Sequence, residues 1–168
     1  MGFLQLAWIW LFRRLWQFAR GVREFRTIED GRVILHYEPG LECSRDLHLL
    51  LRSCREDHDR LARQFQFTLR RRPVIYLFRH YREIQRLFGP EYAGAALIPA
   101  TAVVVADNQV VSEVLRHELV HLFAARWGVA EPPLLGEGVA VWLQGTEWGE
   151  TIDNVARPLL LQANLKLD

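Results

Sequence analysis

At 168 residues the chain is long enough for one domain with a real core. Hydrophobic residues make up 50% and charged residues 24%, which excludes an intrinsically disordered chain. A net charge of +1 gives no global field for nucleic acid, and no nucleic-acid partner is expected.

The first twenty residues, MGFLQLAWIWLFRRLWQFAR, are rich in Trp and Leu and then turn basic. The apolar run Phe3–Phe12 is half the roughly 20 residues a bilayer requires. Its positive charge follows the run and no small-residue cleavage site is evident, so no cleavable signal peptide is expected. Residues 1–30 therefore read as a Trp/Arg-rich amphipathic helix, separate from a domain at 31–168. Three readings of residues 1–20 stay open: peripheral contact with a membrane surface, packing on the domain or a partner chain, or the stub of a longer protein. Were the segment to enter a membrane, the Arg excess after it would favour a cytoplasmic body, and a cytoplasmic or peripheral membrane location is expected.

From Arg32 the pattern changes. Val33–Tyr37 predicts a strand, closed by Pro39-Gly40. Ser44 is placed to cap a helix running to about Phe67, with Leu47, Leu50, Leu51, Cys54, His58, Leu61 and Phe65 on one side. His48 and His58 are too far apart for a ligand pair and read as surface or boundary residues. Cys43 and Cys54 read as reduced thiols, with one bridge left open, and no Cys-x-x-Cys pair exists for a thiolate zinc site. The Arg70-Arg71-Arg72 run reads as a solvated loop.

Pro73–Phe78 predicts a buried strand and Tyr81–Phe88 a short helix stopped by Gly89-Pro90. Tyr92–Pro99 is small and apolar and carries no clear assignment. Thr101–Ala106 is a strong strand, and Asp107–Gln109 leads into the next helix. There Val110, Val111, Val114, Leu115, Leu119 and Leu122 cover most of the circumference, which places that helix in the core. Gly128 is a plausible end for it. After Pro132-Pro133 a second helix runs from Leu134 to about Gln144, closed by Gly145. The tail Thr151–Asp168 reads as a helix interrupted near Pro158. The expected fold is α+β, a small, mostly antiparallel sheet packed on the central helix.

That helix carries His117-Glu118-Leu119-Val120-His121, the H-E-x-x-H pattern. Residues four apart share a helix face, so both imidazoles can address one ion. Two neutral His nitrogens suit Zn²⁺, and a catalytic zinc takes a third protein ligand plus an open position for water. Glu137, at the start of the following helix, is the candidate third ligand, and Glu118 is placed to act on that water. Without an ion, two imidazoles and two carboxylates on buried helices would be costly. Val103–Ala106 reads as an edge strand beside the metal, suited to binding an extended peptide.

His117-Glu-x-x-His121 followed by Leu134-Leu-Gly-Glu137-Gly-x-Ala140-x-Trp142-Leu-x-Gly145 resembles the gluzincin metallopeptidases, and more narrowly the peptidase MA-like domains. The resemblance covers roughly 32–153, with its specific part at 117–145. It implies a zincin-like fold, Zn²⁺ held by His117, His121 and Glu137, Glu118 as general base, and a peptide or protein substrate. The metzincin pattern fails, because its third His and its Gly would fall at Trp127 and Ala124.

Two features depart from the gluzincin pattern. No His follows His121 and no Tyr follows Tyr92, so only Arg157 or Asn154 is available downstream to stabilise an oxyanion. The position one turn after Glu137, often acidic, is Val141, which leaves Glu113, Glu147, Asp153 or a backbone carbonyl to orient a His. The sequence supports a zinc metallopeptidase first. Behind it stand a weakly active metal-binding module that binds peptide or a partner, and a membrane-peripheral interaction protein.

Overall fold

The computed structural model describes residues 18–90, 92–127, 133–147, 150–151 and 154. Its sheet is built around the run with the strongest β propensity. Strand β5 (Ala102–Ala106) is buried along its whole length, Val103 and Val105 facing one core and Val104 and Ala106 the other. With β1 (Arg26–Glu29), β2 (Ile34–Tyr37), β3 (Val74–Phe78) and β4 (Gly94–Leu97) it forms a five-stranded sheet in the order β1-β2-β3-β5-β4.

The fold is α+β, but the sheet is mixed and not mostly antiparallel. The central pairs β2/β3 and β3/β5 run parallel, and only the outer pairs β1/β2 and β4/β5 are antiparallel. The cause is the connections. Helix α1 (Leu47–Phe65) makes the crossover from β2 to β3, while helix α2 (Tyr81–Phe88) and then β4 lie between β3 and β5, β4 running back so that β5 returns parallel to β3. Among the described residues β4 is the strand at this edge of the sheet, so the edge belongs to Gly94–Leu97 and not to Val103–Ala106.

Helix α1 is capped by Asp46, which accepts from the Leu49 N–H at 2.9 Å, two residues beyond the expected Ser44. It ends at Gln66 in the left-handed conformation, φ 59°. All seven residues expected on its inner side are buried. His58 is among them, lying against the Phe123 ring and not at the surface, while His48 is exposed. Cys43 is exposed, Cys54 is buried, and both are free.

Helix α3 (Val111–Ala124) buries Val111, Leu115, Leu119, Leu122 and Phe123 between the sheet and α1. Each such side chain contributes about 1.5–3 kcal/mol by leaving water. The stripe left over carries His117 and His121. Helix α4 (Pro133–Gln144) packs on α3 through Ala140 and Leu143 and stops at Gly145, φ 80°. A two-stranded hairpin, β6 (Thr146–Glu147) with β7 (Glu150–Thr151), follows.

The other sheet face is covered by α2 and by residues 18–25. Phe18 packs edge-on against Tyr76 at 4.9 Å, and Phe25 against Phe78 at 4.9 Å. The span 1–30 is therefore not one helix, since Arg26–Glu29 is a strand of the sheet and Phe18 already belongs to its packing. The expectations for residues 1–17, for Gly128 and for the tail beyond 154 lie outside the described residues. Among the described residues, no helix is long and apolar enough to cross a membrane.

Candidate metal centre

The two imidazoles lie on consecutive turns of α3, with His117 Nε2 and His121 Nε2 3.1 Å apart. Helix α4 brings Glu137 to the same point, Oε2 at 3.1 Å from His117 Nε2 and Oε1 at 3.5 Å from His121 Nε2. All three sequence-predicted ligands thus converge, with one ligand atom from each within 4.8 Å of the others. Ligands at zinc distances of about 2.05 Å on a tetrahedron stand about 3.3 Å apart, close to the separation of the two nitrogens, while Glu137 meets each ring with a different carboxylate oxygen. The donor set, two imidazole nitrogens and a carboxylate, also fits Zn²⁺.

Burial disfavours charge on His121 and lowers its pKa; His117 acts in the same sense, while Glu137 opposes them. A neutral imidazole is the form that can coordinate a metal.

Glu118 points from the same helix toward β4. Desolvation is the main reason its pKa is pushed up to about 7, with Glu137 adding to the rise; His117 and the backbone N–H of Ala96 pull it down. A carboxyl that titrates near neutrality, beside a candidate metal, suits proton transfer. The arrangement sits in a cleft of about 590 Å³, lined by the β4 edge, Tyr81, Tyr92, Val114 and the cluster itself.

The approach of β4 depends on Gly94. A Cβ there would lie 2.8 Å from Val114 Cγ1, 3.0 Å from Val105 Cγ1 and 3.2 Å from Glu118 Cγ. The valines are stiff at χ1, so they cannot swing aside cheaply. Gly94→Ala is expected to cost about 1–3 kcal/mol in chemical denaturation, because the strand must move off the helix. Unchanged stability would mean that β4 can shift freely.

The sequence reading missed one polar partner. His117 Nδ1 faces Gln144 Oε1 at 3.0 Å, so the acceptor behind this imidazole is an amide from the last turn of α4. Glu113 lines the cleft; the side chain of Glu147, and Asp153, lie outside what is described. Of the two downstream candidates for an oxyanion, Asn154 donates to Glu150 at 3.2 Å, and Arg157 lies outside the described residues. A signal for Gln144 was present, since it is a polar residue in an apolar helix, seven positions after Glu137 and hence on the same face.

No protein-family model, curated protein or solved structure matches the chain.

Proposed function

We propose that the chain is a zinc-dependent peptidase of the gluzincin kind. The observation that carries this reading is the convergence of His117, His121 and Glu137 within reach of a single ion, with Glu118 beside it. Zinc, when bound, supplies a Lewis acid for the scissile carbonyl and acidifies the attacking water. Glu118 takes the proton of that water and delivers it to the leaving amine. Among the described residues strand β4 has β5 on one side only, which leaves its outer edge for an extended peptide to add as a further strand. Gly94 keeps that edge close to Glu118, so the added peptide is held over the base.

A second reading is a metal-binding module with little turnover. It is favoured by the absence of a Tyr or His after His121 among the described residues, where an oxyanion donor would be expected. The 60% exposure of the Glu137 side chain favours the enzyme, because a site open to solvent has room for the reacting water.

Metal content of the purified chain, wild type beside Glu137→Ala, tests the site. About one zinc per chain is expected, with affinity weakened at least about 10-fold in the variant. Equal binding by both would require a different third ligand. No zinc in either, after expression in zinc-replete medium, would leave the histidines without this role.

A further inference from the structure

We infer that Gln144 is a positioning residue that fixes the ring of His117, held in place by an ion pair between α1 and α3. This rests on the metal-site reading above for its functional meaning, though not for its geometry.

Gln144 is 4% exposed, at the last position of α4. Its amide can face His117 in only one sense. The Nε2 group donates to the carbonyl of Thr146, which turns Oε1 toward His117 Nδ1. An acceptor opposite Nδ1 requires that nitrogen to carry its proton. The Nε2 lone pair is then the one left for a metal held between His117, His121 and Glu137; without a metal, Nε2 faces the Glu137 carboxylate, itself an acceptor, at 3.1 Å.

The backbone of the same residue is also tied down. Gln144 O accepts from Arg116 NH1 at 2.8 Å, and Arg116 Nε donates to Asp57 Oδ1 at 2.9 Å. The Asp57 side chain is only 10% exposed and also accepts from Arg60 at 3.2 Å. Arg116 precedes His117 directly in the chain. One guanidinium therefore joins α1, the metal helix and a terminal carbonyl of α4, where a cation is favoured. The neutral amide does the orienting that a carboxylate does in many zinc sites, with less added basicity on the imidazole.

The test combines ¹⁵N–¹H spectra of the His117 ring with zinc affinity measured by chelator competition. In wild type, metal-free and zinc-loaded, Nδ1 is expected to carry a hydrogen-bonded proton. Gln144→Met, close in volume, is expected to lose that signal and to bind zinc about 10- to 100-fold more weakly. Gln144→Glu keeps an acceptor opposite Nδ1 and is expected to stay closer to wild type than to the Met variant. It also keeps the test open if Gln144→Met does not fold. An unprotonated Nδ1 in wild type, or zinc affinity in folded Gln144→Met equal to wild type, overturns the inference. So does a Glu variant as weak as the Met one. If wild type binds no zinc at all, the peptidase reading fails separately. The Nδ1 proton of the metal-free chain, present in wild type and lost in Gln144→Met, then decides the positioning role alone.

Discussion

Glu118→Gln is expected to keep bound zinc and to lose peptide hydrolysis by about 10³-fold. The two halves of this result come from different atoms. Zinc would be held by His117, His121 and Glu137, whose ligand atoms face one another, while Glu118 faces β4 and is not among them. The amide matches the carboxylate in size, so the packing of residue 118 against Gly94 is retained. What the amide cannot do is accept a proton from water. The burial that raises this carboxyl toward neutrality also makes it a better base than an exposed glutamate. Binding zinc would place a cation nearby and bring its pKa part of the way down again. Turnover measured on a generic protein substrate, with zinc content checked in the same preparation, separates chemistry from metal loss. Undiminished hydrolysis by the variant would remove Glu118 from the mechanism.

The legible part of the molecule is its centre. Helix α3 could be read because its apolar positions repeat at helical spacing around a polar stripe, and β5 because five small or β-branched residues stand together. The shared face of His117 and His121 was legible for the same geometric reason, and the approach of Glu137 because the next helix begins close by. The edges were not. β1, Arg-Thr-Ile-Glu, is polar and largely exposed, and β4, Gly-Ala-Ala-Leu, has little side chain to declare itself. Both are strands because a neighbour supplies hydrogen bonds, which is tertiary information. Without β4, β5 reads as the edge and the role of Gly94 stays hidden.

The sheet direction was recoverable. Strands separated by helices argue for crossovers and parallel pairing, and that signal lay in the order of elements between Val33 and Ala106. One turn after Glu137, where an acidic partner for His117 would be expected, stands Val141. The orienting residue lies two turns on, at Gln144, still on the same face of the helix. Asp57 and Arg116 are 59 positions apart, and no local pattern connects them.

The same substitution is expected to stabilise the metal-free protein, and the gain should grow with pH. In the folded chain Glu118 titrates at about 7 instead of 4.5, chiefly through desolvation. A group whose pKa is raised on folding binds its proton more tightly in the native state. Its contribution is present in full below about pH 4.5 and is lost as pH rises through about 7. Over that window the native state keeps a proton the unfolded chain has released, so wild-type stability falls by up to about 3 kcal/mol. The neutral amide introduced by Glu118→Gln carries no such cost. The lowered pKa of His121 acts in the opposite sense below pH 6.5, but it is shared by both proteins and largely cancels in their difference. Urea denaturation of the two metal-free proteins between pH 4 and 8 should show curves that meet at the acid end, diverge between about pH 4.5 and 7 and keep a constant gap above that, the variant being more stable. A difference that stays constant across the range would mean that Glu118 is solvated in the folded chain. A carboxylate that costs stability until a cation joins it, at the place where proton transfer would be needed, is what a site selected for chemistry is expected to contain.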